Sequence, residues 1–167
     1  FIMIFKFKKH NVNLYNTLLN LSRNVYFYKN IKLDDSFETR IYLMFLHFSI
    51  ILIVHKKKAI NFEQSAYDDL FHSIENNLRE LGFGDVSVNK KMKDLNKILY
   101  DMLLKLKNNK KDVFELNKPL IVKYFKIFND DKTSKYQEFS RYFVKFYNFC
   151  FELPHNNMLK RAINFKH

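Results

Sequence analysis

A chain of 167 residues, 47% hydrophobic and 28% charged, is long enough to bury a core of its own and too apolar for a disordered tail. Two glycines and two prolines are too few for the tight turns of an all-β protein or for a Gly-rich nucleotide-binding loop, and one cysteine, Cys150, excludes an internal disulfide and a cysteine-based zinc site. The formal charge of +12 fits a nucleic acid or an anionic membrane as partner, while a coding bias toward the AT-rich codons of Lys, Asn, Ile, Phe and Tyr accounts equally well for the excess.

The single cysteine makes a reducing compartment the expected location. Positive charge is concentrated in residues 1–34 and 85–167, whereas 35–84 is net acidic. The opening Phe1-Ile2-Met3 suggests an initiator at Met3 or upstream, and the lysines that follow (Lys6, Lys8, Lys9) argue against a cleavable secretory signal.

The first element expected is a helix over Leu14–Lys29, with Leu14, Leu18, Leu21, Val25 and Tyr28 spaced by three and four. A second helix starts at Asp35-Ser36-Phe37-Glu38, where an Asx cap followed three residues later by Glu resembles a capping box, and it ends near Lys56–Lys58. Its run from Ile41 to Val54 is apolar except for His47 and Ser49, and fourteen residues span about 21 Å, short of a bilayer core of about 30 Å. It is read as the central buried helix, with a membrane-spanning segment as the alternative.

A third helix, about Phe62 to Leu81, places Tyr67, Leu70, Phe71, Ile74, Leu78 and Leu81 on one stripe and Asp68, His72, Glu75 and Arg79 opposite, and it stops at Gly82. The fourth runs from about Val88 to Lys107 and buries Val88, Met92, Leu95, Leu99, Met102, Leu103 and Leu106. After a polar break at 108–111, a short fifth helix with Pro119 in its first turn reaches about Phe128. A sixth covers Ser134–Leu153, Pro154 ends it, and a last turn follows Asn156. The expected fold is therefore all-α: a single compact domain over residues 1–167, about six helices around a central apolar helix at about 36–57.

Asp68, Asp69, His72 and Glu75 have metal-ligand chemistry, but they oppose the core stripe and read as a solvated face, so no metal is expected. His47 is either a core histidine held neutral by a hydrogen bond or a general base, and no Ser or Cys nucleophile stands in a recognisable motif to use it. No HExxH, GxSxG or P-loop occurs. The chain is expected to be neither an enzyme nor a binder of a cofactor or small-molecule substrate. Phe125, Phe128, Tyr142, Phe143, Phe146, Tyr147 and Phe149 either form an apolar patch facing a client or fill the core in place of leucine.

Both glycines fall within three positions, in Leu78-Arg79-Glu80-Leu81-Gly82-Phe83-Gly84-Asp85, which implies backbone angles that only glycine adopts cheaply. The loop is either a plain helix-capping corner or a corner that also presents Asp85, Lys90 and Lys91 to a partner. This segment, with Phe37 and Arg40 ahead of Leu43–His47, then Phe71 and Ile74, then Val88, Lys90-Lys91-Met92 and Tyr100, resembles the ubiquinol-cytochrome c chaperone family, the assembly factors of the cytochrome bc1 complex in alphaproteobacteria and mitochondria. The resemblance is strongest over residues 35–107. It departs at Lys56–Lys58 and in the C-terminal third.

The resemblance implies an all-helical, non-enzymatic chaperone that binds newly made cytochrome b, near the ribosomal exit tunnel and the membrane. It implies partner-binding or family-motif roles for Phe37, Arg40, His47, Arg79, Glu80, Gly82, Gly84, Asp85, Lys90 and Lys91, and in mitochondria a small helical partner protein. The implied location is the cytoplasm, peripheral to the inner membrane of an AT-rich alphaproteobacterium, or alternatively the matrix side of the mitochondrial inner membrane. A basic helical module binding RNA or the ribosome is the competing reading.

Overall fold

The computed structural model describes residues 11–107, 113–130, 132–154 and 158–167, and the expectations for the chain start, for the break at 108–111 and for Asn156 lie outside these. Among the described residues all regular structure is helical: α1 (Asn11–Ser22), α2 (Val25–Lys29), α3 (Phe37–Lys57), α4 (Gln64–Glu80), α5 (Asp85–Lys107), α6 (Lys118–Tyr124), a 3₁₀ turn (Lys126–Phe128), α7 (Lys135–Glu152) and α8 (Met158–Ala162).

α3 is the axis of the bundle, packed by α1, α5 and α7. Its most apolar stretch is long enough to cross a membrane, but 67% of it is buried inside the protein, so it is a core helix that is hydrophobic on nearly every side. Phe45 stacks on Phe71 and Phe48 meets Tyr67, which sets α4 antiparallel to α3. His47 touches Phe143 and Phe146 while Lys58 reaches the carbonyls of Phe151 and Leu153, so α7 runs parallel to α3. Tyr67 Oη donates to Asn96 Oδ1 across the corner that joins α4 to α5, so α5 runs antiparallel to α4 and parallel to α3.

Helix boundaries differ from the periodicity at several points, two of them where a side chain replaces a backbone bond. The helix expected over Leu14–Lys29 breaks at Arg23-Asn24, where the Asn24 side chain accepts from the Tyr26 amide and caps α2. α3 is capped by Ser36, whose Oγ accepts from the Thr39 amide at 3.2 Å, and Asp35 pairs with Arg40 at 2.5 Å. The expected capping box therefore slips by one residue, and Glu38 stands in the first turn where it suits the positive helix end. The fifth helix ends at Tyr124, and Phe125 (φ −120°, ψ 83°) leads into the 3₁₀ turn.

Of the two readings of the C-terminal aromatic residues, the structure bears out core filling. Phe125, Phe128, Tyr142, Phe143 and Phe146 are at most 4% exposed and Tyr147 is buried, leaving only Phe149 partly accessible. They interlock around Phe27 and Phe139 with ring centroids 4.7–6.0 Å apart. These rings fill the core in place of leucine, contributing packing and edge-to-face contacts of about 0.5–1.5 kcal/mol per pair.

Candidate functional site

α4 ends in a Schellman motif: the Gly82 amide donates to Arg79 O at 3.0 Å and the Phe83 amide to Leu78 O at 3.3 Å. The motif requires a left-handed residue, and Gly82 supplies it with φ +95°. Gly84 does not share that role. Its φ is ordinary, a Cβ there would meet nothing within 4 Å, and its carbonyl accepts the first helical bond of α5 from the Val88 amide at 2.9 Å. α5 thus starts at Asp85, one turn before the expected Val88, because glycine serves there as the residue preceding the helix.

Arg79 ties the corner together, reaching Glu75 Oε1 at 3.1 Å within α4 and Asp85 Oδ1 at the start of α5. Asp85 also favours the positive end of α5. Lys91 lays its ammonium 4.6 Å from the centroid of the Phe83 ring, and Lys90 is exposed one position before it. Leu81, expected on the core stripe, is 57% exposed as the last residue with a helical backbone before the turn at Gly82. With Val86 at 85% and Phe83 at 38%, the corner shows three large apolar side chains to solvent, flanked by Arg79, Lys90 and Lys91.

Beside this corner, α1, α3 and α4 enclose a cleft of about 440 Å³. Leu19, Phe37, Ile41 and Met44 give it an apolar floor, and Arg23, Arg40, Asn76, Asn77 and Glu80 a polar rim. The structure thus brings Phe37, Arg40 and Glu80 into one cleft and Arg79, Gly82, Gly84, Asp85, Lys90 and Lys91 into the adjoining corner. Tyr15 and Arg23 were not candidates from the sequence. Their signal is the spacing Tyr15, Leu19, Arg23, a second stripe on α1 beside the core stripe, with Tyr15 Oη accepting from Asn77 Nδ2 at 3.4 Å.

His47 belongs to neither. It is fully buried, with Nδ1 2.6 Å from Leu43 O and Nε2 2.8 Å from the Tyr142 hydroxyl. A carbonyl only accepts, so Nδ1 carries the proton and donates it, and Nε2 accepts from Tyr142. Burial lowers its pKa to about 4 despite the Leu43 carbonyl, which leaves a neutral core histidine with both nitrogens satisfied. Cys150 is buried, and its thiol is pushed up to about 12. The acidic face is solvated as expected at Asp68 and His72, and among the described residues no group of three or more His, Cys, Asp or Glu is placed to hold a metal.

The corner and cleft therefore offer apolar side chains ringed by guanidinium, ammonium, amide and carboxylate groups. Comparison with curated proteins and with solved structures found no match. The family model described as ubiquinol-cytochrome C chaperone matches residues 29–129, more than half of the chain, and takes in α3, α4, α5 and the whole corner between the last two. The chain belongs to the ubiquinol-cytochrome c chaperone family.

Proposed function

We propose that the protein binds newly made cytochrome b and holds it for assembly into the cytochrome bc1 complex, without catalysing a reaction. The observation that carries this reading is the α4–α5 corner, where Leu81, Phe83 and Val86 stand exposed within the family-matched region. An apolar tip among cations fits a client segment that is itself apolar and has not yet packed. Family membership gives the coarser role, a chaperone of bc1 assembly. The C-terminal aromatic side chains read as a possible client face lie in the core apart from Phe149, which removes the support they lent to a client patch there. The cytoplasmic side of a bacterial inner membrane, or the matrix side in a mitochondrion, is the location this role requires, close to where cytochrome b is made.

Affinity capture of the tagged chain from detergent-solubilised native membranes tests the reading. Cytochrome b is expected in the captured material, and the doubly reversed variant Lys90→Glu, Lys91→Glu is expected to recover several-fold less of it with an unchanged melting curve, since surface changes usually cost under about 0.5 kcal/mol. Capture that lacks cytochrome b, or that consists of ribosomal RNA, contradicts it.

A further inference from the structure

We propose that the opposite end of the bundle, where α3 and α5 terminate, is a docking face for the anionic surface of a lipid bilayer. An open groove of about 500 Å³ lies there, lined by Leu52, Ile53 and Leu103 with Lys56 and Lys57 at its edge, and among the described residues none that lines it is acidic. Leu104 beside it is 59% exposed. Lys57 lies 5.4 Å from the Tyr147 ring centroid, and Lys58 5.5 Å from that of Phe151, which is 43% exposed. Aliphatic side chains therefore lie beside the Lys56 and Lys57 ammonium groups at one end of the molecule, while the Lys58 ammonium is held by the Phe151 and Leu153 carbonyls.

The chemistry of this face separates its occupants. Single-stranded nucleic acid is held by several aromatic or guanidinium planes that stack on successive bases, and among the described residues this face offers only the Phe151 ring, which Lys58 covers. A bilayer surface needs aliphatic groups that enter the acyl boundary and long cationic side chains that reach the phosphates, and the groove supplies both. At 1.5 Å per residue, the 21 residues of α3 place this end about 30 Å from Phe37, so a docked molecule holds its cleft and corner away from the lipid. The inference goes beyond the client reading and does not depend on it.

The chain contains no tryptophan, so Leu104→Trp places a lone fluorophore on the face and Val86→Trp places one at the other end. With vesicles of phosphatidylcholine and phosphatidylglycerol, the Leu104→Trp emission is expected to shift to the blue, with no shift on phosphatidylcholine alone and none for Val86→Trp. Adding Lys56→Gln and Lys57→Gln is expected to weaken vesicle binding roughly 30-fold, at about a fivefold factor per charge. Salt at about 1 M, which shortens screening to about 3 Å, is expected to release the unsubstituted face and serves as the second measurement where the glutamine variant fails to fold. No blue shift on anionic vesicles, an equal shift at both ends, or binding of random RNA through Lys56 and Lys57 without vesicle binding would overturn the proposal. Because cytochrome b capture is performed in detergent, a chain that captures cytochrome b and ignores vesicles refutes the docking face alone.

Discussion

His47 couples the stability of the core to pH. Unfolded, it takes up a proton near 6.5. Folded, burial holds it neutral until about 4, so the unfolded state binds more protons between these values. Its contribution is complete above about pH 6.5, falls as pH drops to about 4, and is constant below that. The expected loss is on the order of 3 kcal/mol, and burial of His55 acts in the same direction. Denaturant titrations across this range should show a clearly smaller loss for His47→Gln; an identical loss in both proteins refutes the buried neutral imidazole. The two glycines separate just as cleanly. Gly82→Ala is expected to lower stability by about 1 kcal/mol, since φ is +95°, whereas Gly84→Ser, at an ordinary φ ahead of α5, should be neutral or slightly stabilising in a thermal melt. Equal effects at both positions contradict the Schellman assignment.

The helices were legible wherever one apolar stripe persisted, as in α4, α5 and α7, because burial on one face imposes the 3.6-residue period directly. The interruptions were not. Apolar spacing runs unbroken through Asn24 and Phe125, and the breaks arise from a capping amide and an extended backbone that periodicity does not register. Ser36 and Asp35 are both good caps in sequence; their roles are settled by Arg40, one turn into α3, which pairs with Asp35 and leaves Ser36 to the helix. The short α6 is tied to α5 through Asp101, which accepts from Lys123 at 2.8 Å and from the Tyr124 hydroxyl at 2.6 Å, with Lys105 at 3.0 Å. Partial burial pushes this carboxyl up, but the bonds from Lys123, Tyr124 and Lys105 outweigh it and hold it well below the usual carboxylate range. Asp101→Ala is expected to cost about 1–2 kcal/mol and to speed amide hydrogen exchange over Leu120–Tyr124 more than elsewhere. Unchanged protection in α6 would show that Asp101 does not anchor it.

At the scale of the molecule, one end gathers the family-motif residues and the other the lysine-edged groove, with α3 as the strut between them. The corner was readable from its paired glycines, although only Gly82 meets a turn that requires one and Gly84 stands at an ordinary φ. The cleft beside it was not, because it exists only once Tyr15, Phe37 and Asn77 converge from three helices far apart in sequence, and no local pattern encodes that meeting. The family match covers most of this surface, and its apolar and cationic groups are why the account rests on binding and assembly. Deleting the gene in its host and quantifying assembled bc1 complex, with the reduced-minus-oxidised cytochrome b spectrum read from the same membranes, tests this most directly. The account predicts that assembled complex and haem-bearing cytochrome b both fall while the cytochrome b transcript persists, and that reintroducing the intact gene restores them. Membranes from the deletion strain with normal bc1 complex and a normal cytochrome b spectrum would contradict it.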